Sequence, residues 1–392
     1  MNGIYERLGV VPMVNAKGPA TRLSGGPMRS EVAAAMAEAA GSCVDMLELH
    51  AAAGAIVARH TGAEAGLVTA GASAAILLGT AACIAGMDPA AMARLPDTRG
   101  LRNRVVMVRS QRNQYDHAVR AAGVEIVEAG LPDRVSGAGC RDAEPWEIEA
   151  AIDERTAAVH YVADAKARPS LEAVVAVAHA RGVPVLVDAA AQLPPASNLR
   201  RFTEAGADLV CFSGGKAIGG PQASGILAGR RELVASAALQ MLDMDYPDGF
   251  FRPPPGFIDK DGLKGLPPHG IGRSCKVAKE QIAGLVTALE LFVAEGDEVR
   301  SGRWRAILEE IAGGLPAGLA ELRDGPVPQL VVQAGGRAPA IYRALIEGNP
   351  VIHTDPEELE EGCLVVNPVC LQPHEAGVVA ARLDELFREV RA

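Results

Sequence analysis

No run in this 392-residue chain reaches the roughly eighteen uninterrupted apolar residues that a membrane helix requires, although 49% of its residues are hydrophobic. A membrane-spanning protein is therefore not expected. The first residues, MNGIYERLGVVP, place Glu6 and Arg7 early and have no basic start leading into an apolar segment, so no secretory leader is expected either. No C-x-x-C pair occurs among the seven cysteines. Their odd number and scattered positions speak for reduced thiols rather than disulfides or structural zinc, so no metal is expected and the cytoplasm is the expected compartment. Basic charge is short as well: 38 Lys and Arg against 48 Asp and Glu give a net charge of −10. That argues against a general nucleic-acid surface, because phosphate binding needs clustered cations.

What is present is ample apolar material for a large core and, at this length, two or three domains. Between about residues 60 and 230, short apolar runs at 66–69, 104–109, 124–128, 157–162, 183–187, 208–212 and 225–228 alternate with helical patterns. One such pattern, 171–181, repeats Leu171, Val174, Val175 and Ala178 on one face. This is the signature of βα units around a mostly parallel sheet, an α/β fold. After Asp245 the stretch "YPDGFFRPPPGFIDKDGLKGLPPHG" is too rich in Pro and Gly for regular structure and reads as a long loop. The helix after it carries a stripe of Ile282, Leu285, Val286, Leu289 and Phe292. The expected division is an N-terminal arm (1–45), a large domain (46–245), the loop and a connecting helix (246–299) and a smaller C-terminal α/β domain (300–392).

Three short segments carry chemistry. In "VCFSGGKAIGG" an apolar strand ends at Ser213, and Lys216 follows between two pairs of glycines, which places its amine on a loop at the C-terminal edge of the sheet. A lysine held there can form a Schiff base with an aldehyde, though taken alone it reads at least as well as an exposed lysine on a glycine-rich turn. "VPVLVDAAAQLPP" ends a strand on Asp188, which can pair with a protonated pyridine nitrogen or simply cap a helix; Ala190 leaves room for a flat ring. "GLVTAGASAAILLGTAACIAG" gives a strand, a turn of small residues at Gly71 and Ala72, and a helix from about Ser73. Its first amides form a phosphate cradle or, more plainly, a tight helix-to-sheet contact.

Cradle, aspartate and lysine, in that order, are the three anchors of pyridoxal 5'-phosphate. With "VNAKGPATRL", "TGAEAGLVTAGASAA", "FSGGKAIGGPQASGILAGRREL" and "IGRSCKVAKEQIAGL", the chain resembles the fold-type I pyridoxal-phosphate enzymes. The nearer likeness is to the group around selenocysteine synthase (seryl-tRNA selenium transferase) and the D-glucosaminate-6-phosphate ammonia-lyases. The resemblance implies Lys216 as the Schiff-base lysine, Asp188 as the pyridinium partner, and Gly71, Ala72 and Ser73 as the phosphate cradle with the Ser213 hydroxyl. It places Gln192 near the ring substituents, and one of Gln111, Arg112, Tyr115 and His117 over the ring. Arg273, opening the helix after the Pro-rich loop, is implied as the fork for a substrate anion, with Arg22 second. Lys276 and Lys279 read as solvated helix residues.

The implied activity is α-proton removal by Lys216 followed by β-elimination from an amino acid, with hydroxy or phosphorylated substrates in view. This is a lyase of the ammonia-lyase or dehydratase kind. A racemase or epimerase and a β-hydroxy amino acid aldolase share its first step, and a non-catalytic pyridoxal-phosphate-binding protein is the rival from another class. The match to "VNAKG" begins at Val14, which leaves no expected room for the tRNA-binding domain of the selenium transferase. A small-molecule amino acid substrate, no nucleic-acid partner and a homodimer or multiple of it are the corresponding expectations.

Overall fold

The computed structural model describes residues 3–131, 142–247 and 249–389. Two compact units emerge, one of residues 30–290 and one of residues 1–29 with 291–392. The strands in chain order are β1 (Val14–Ala16), β2 (Ala65–Thr69), β3 (Arg104–Val108), β4 (Glu125–Ala129), β5 (Thr156–Val162), β6 (Val185–Asp188), β7 (Leu209–Ser213), β8 (Gly225–Gly229), β9 (Ala320–Arg323), β10 (Gln329–Gln333), β11 (Ile352–Thr354) and β12 (Cys363–Val366).

In the larger unit, seven strands form one sheet in the order β2-β8-β7-β6-β5-β3-β4. All neighbours are parallel except β8, which runs antiparallel to both β2 and β7. The central strands are buried along almost their whole length, which is why they read as continuous Val, Leu and Ala runs rather than alternating ones. β4, at the edge, is the one with exposed residues. All seven expected strands form, with ends shifted by at most two residues.

One face of the sheet is covered by the helix Ala72–Ala85, apolar all round and mostly buried. It approaches closely because Gly79 carries no side chain: a Cβ there would lie 3.0 Å from Leu186 Cδ1 and 3.3 Å from Leu209 Cδ1. In the helix Leu171–Ala180 the expected stripe, Leu171, Val174, Val175 and Ala178, is buried, and the Ser170 hydroxyl caps the start. In the helix Lys279–Glu295, Ile282, Leu285, Leu289 and Phe292 are buried and Val286 is half-buried.

That helix begins later than expected, and Arg273 does not open it. Arg273 lies in a separate 3-10 turn, Ile271–Cys275, ended by the extended backbone of Lys276. Lys279 is no solvated surface residue either: its Nζ donates to the Ala39 carbonyl at 2.7 Å, satisfying the end of the helix Ser30–Ala40.

In the smaller unit, β9, β10 and β12 form an antiparallel sheet, and β1 pairs in parallel with β11. Ile307, Leu308 and Ile311 from the helix Asp297–Gly313 and Leu383 and Phe387 from the helix Ala376–Glu389 join Leu330 and Leu364 in its core. The described residues from 3 to 29 fall in one compact unit with the C-terminal residues. The partner of β1 lies more than 300 residues away, which no local pattern reveals. Among the described residues, no helix is long and apolar enough to cross a membrane.

Candidate active site

β6 delivers Asp188 to the C-terminal edge of the sheet, buried to 8% exposure. No helix follows directly, so Asp188 caps none. Its Oδ1 accepts from the Ala190 amide at 2.9 Å and its carbonyl accepts from the Ala163 amide at 2.9 Å, which fixes the turn around it. One strand over, β7 ends at Ser213 and the chain turns through Gly214–Ile218. That turn is pinned by Gly214 N–H to the Ser224 carbonyl and Gly220 N–H to the Gly214 carbonyl, each 2.9 Å. Lys216 sits half-buried in it. Burial lowers its pKa from the ordinary lysine value, partly offset by the negative charge of Asp188. A neutral amine is the form that attacks a carbonyl and accepts a proton.

Ser213 is in register with Gly225, the first residue of β8. Gly225 is held to glycine by a close approach: a Cβ there would lie 2.4 Å from the Gly71 carbonyl carbon and 2.7 Å from the Ala72 amide nitrogen. The start of the helix Ala72–Ala85 thereby rests against the start of β8, next to β7. Gly71 has φ +134° and no side chain caps the helix start, while a Cβ at Gly71 would meet nothing within 4 Å. At Gly71 the positive end of a fourteen-residue helix therefore has open space on the side where a side chain would lie.

On the other side of Asp188, β5 ends at Val162, in register with it. The Val162 amide donates to Gln111 Oε1 at 3.0 Å, which fixes the orientation of that amide and leaves Gln111 Nε2 a buried donor without a partner. The other three residues considered for the ring have different surroundings. Arg112 is ion-paired with Asp116 and Glu128, Tyr115 is 62% exposed, and exposed His117 contacts Arg120 at 3.2 Å. Gln192 Nε2 donates to the Ala163 carbonyl at 2.7 Å, holding Gln192 and half-buried Ala190 beside the Asp188 turn.

Arg273 Nη2 donates to Asp243 at 2.9 Å, and no hydrogen bond or ion pair joins it to Lys216 or Asp188. Arg22 is exposed on a 3-10 turn of the smaller unit, where its charge lowers the pKa of His353 together with that residue's burial. A residue that the sequence did not signal stands close by: His160, in the middle of β5 and 3% exposed, with Nδ1 unpartnered. One polar letter inside "TAAVHYV" carries no local signal for this.

The donor set fits pyridoxal phosphate. It supplies a lysine whose burial favours the neutral amine, a buried carboxylate, an uncapped helix start with open space at Gly71 and a buried amide N–H with nothing to bind. These match the aldehyde, ring nitrogen, phosphate and ring oxygen of that cofactor.

A mostly parallel seven-stranded sheet with one antiparallel strand, in a chain that also carries a smaller α/β unit, is the architecture of the fold-type I pyridoxal-phosphate enzymes. Within that class the chain belongs to the SelA family, L-seryl-tRNA selenium transferase, whose family model matches residues 48–244. It is 31% identical to a D-glucosaminate-6-phosphate ammonia lyase of Salmonella typhimurium, over 98% of this chain and 97% of that protein. It is 32% identical to a 5'-C-glycyluridine monooxygenase-decarboxylase of a Streptomyces species, over 98% of this chain and 92% of that one. A solved structure of D-glucosaminate-6-phosphate ammonia-lyase superposes with a TM-score of 0.81 at 30% identity, covering 99% of both chains.

Proposed function

We propose that the protein is a pyridoxal-phosphate-dependent lyase that removes the α-proton of an amino acid and expels a β-substituent, on a substrate bearing hydroxyl or phosphate groups. The observation that carries this reading is the half-buried Lys216 amine, made easier to deprotonate, one strand from the buried carboxylate of Asp188. The likeness to an ammonia-lyase along the whole chain supports the elimination.

When bound, the cofactor supplies a pyridinium ring that withdraws electrons from the substrate's α-carbon. The amides at Gly71, Ala72 and Ser73 and the Ser213 hydroxyl hold its phosphate, and Gln111 Nε2 and Gln192 bind its ring substituents. Asp188 keeps the ring nitrogen protonated by opposing its charge, and Ala190 leaves space for the ring. Lys216, with its amine freed, takes the α-proton onto Nζ and holds it in position for the departing β-group. Arg273 offers its remaining guanidinium N–H groups to a substrate anion, and Arg22 is the second candidate. The net charge of −10 favours a small substrate over tRNA. The reading places a homodimer, or a multiple of it, in the cytoplasm.

The test is spectroscopic first. The purified protein takes up pyridoxal phosphate and turns yellow, and borohydride leaves a pyridoxyl label on Lys216 that Lys216→Ala lacks; a protein that stays colourless overturns the reading. Hydroxy and phosphorylated D- and L-amino acids are then offered with and without dioxygen. Keto acid and ammonia in its absence establish the lyase. Turnover that requires dioxygen and releases carbon dioxide instead assigns the chemistry named for the Streptomyces relative.

A further inference from the structure

The Pro- and Gly-rich stretch after Asp245 is tied together at its two ends. Before it, Asp243 and Asp245 follow the helix Arg231–Met241; after it come His269 and the turn Ile271–Cys275 that carries Arg273. His269 Nε2 lies 3.5 Å from Asp243 Oδ1 and 3.4 Å from Asp245 Oδ1, and Arg273 Nη2 donates to Asp243 Oδ2 at 2.9 Å. Asp243 is thus the point at which the two ends meet.

The turn under Arg273 is seated by close backbone approach. A Cβ at Gly270 would lie 2.6 Å from Gln240 Cα, and one at Gly272 would lie 2.3 Å from Leu78 Cδ2 and 3.0 Å from the Gln240 carbonyl oxygen. Leu78 belongs to the helix Ala72–Ala85, whose first residues are the phosphate cradle of the reading above. These glycines fix the backbone of Arg273 against the cradle helix, but its long side chain keeps its rotamer freedom and must still be aimed.

Asp243 can do the aiming because its own direction is set. Its Oδ1 accepts from the Asp245 amide at 3.2 Å, a turn typical of aspartate. That hydrogen bond first, and the one from Arg273 after it, hold the carboxyl below its ordinary pKa, so it is charged. The contact takes a single nitrogen of the guanidinium, and Nε and Nη1 have no partner among the described residues. Nη2 carries two protons; with one given to Asp243, the other and the neighbouring nitrogen still form a fork. With the Asp243 side chain 58% exposed, the pair adds little to stability, which leaves orientation as what it supplies.

We propose that Asp243, with His269 behind it, is a positioning residue that acts through Arg273: it takes one guanidinium N–H and aims the remaining fork at the anionic group of the substrate. The inference rests on the reading of Arg273 as the substrate anchor.

The experiment is steady-state kinetics of the pyridoxal-phosphate-loaded enzyme on the substrate found in the screen. The parent is compared with Asp243→Asn, His269→Leu and His269→Gln, each alone and together with Arg273→Lys. Asp243→Asn keeps the acceptor for the Asp245 amide and removes the charge, so the turn survives. It should raise KM about fivefold, with kcat and pyridoxal-phosphate affinity within about twofold of the parent. His269→Leu should raise KM about threefold, and His269→Gln, which keeps an N–H near the position of Nε2, should restore the parent value. None of the three should raise KM further once Arg273 is Lys. An unchanged KM in Asp243→Asn, or the same increase with and without Arg273→Lys, overturns the proposal. So does a parent whose KM rises on treatment with EDTA and recovers with Zn²⁺ or Mn²⁺, because Asp243, Asp245 and His269 would then be metal ligands. If Arg273→Lys by itself leaves KM unchanged, the reading of Arg273 as the anchor fails first and takes the proposal with it.

Discussion

An arginine can hold a carboxylate with two parallel hydrogen bonds, and a lysine cannot. Arg273 uses one nitrogen on Asp243, itself within 3.5 Å of His269, so this guanidinium is oriented but not saturated. If it anchors the substrate, Arg273→Lys should raise KM about tenfold, near 1.4 kcal/mol, with pyridoxal-phosphate affinity unchanged. Steady-state kinetics on the substrate found in the screen decides this. A parent-like KM would confine Arg273 to tethering Asp243 and make Arg22 the next residue to substitute.

At the scale of an element, the helix Met46–Thr61 carries a hidden cost. His50 lies on its inner face at 2% exposure with Nδ1 unpartnered, and burial pulls its pKa from 6.5 down to about 4. A base whose folded pKa is depressed adds no penalty above pH 6.5. As pH falls from 6.5 toward 4, the unfolded chain takes up the proton first and stability is lost, by about 3 kcal/mol in all. His50→Leu should therefore lose less stability than the parent between pH 7.5 and 4.5 in urea unfolding. Equal losses would mean that the ring finds a proton acceptor when charged. The same element shows what local pattern reveals: Asp45 caps the helix start through the Leu47 and Glu48 amides, yet the stretch entered the sequence reading only as the beginning of a domain.

Over the whole molecule, the smaller unit leaves a run of large apolar side chains in water. Ile4, Tyr5, Leu8, Val10, Val11 and Met13 are 40–66% exposed, and the helix Ile4–Arg7 buries none of its residues. Monomeric proteins rarely keep such patches uncovered. Sedimentation equilibrium should give at least twice the chain mass of 40.6 kDa, and Leu8→Glu with Val11→Glu should shift the distribution toward monomer. A parent that sediments at the chain mass would exclude the homodimer.

The sequence by itself determined the βα alternation, because each strand of a doubly covered sheet is a short continuous apolar run that stands out against helical periodicity. It also marked Lys216, Asp188 and the Gly71–Ser73 turn, because glycines and strand-terminal polar residues interrupt those runs. Tertiary structure alone decided which strands are neighbours, and with them which side chains meet. The antiparallel placement of β8 sets Gly225 against Gly71, register puts His160 diagonal to Asp188, and the Val162 amide turns Gln111 so that its Nε2 is left free. It likewise returned β1 to β11 and fastened Lys279 to Ala39. These pairings join residues from 28 to more than 300 positions apart. Their energies depend on burial and approach in space, which composition and local spacing do not encode.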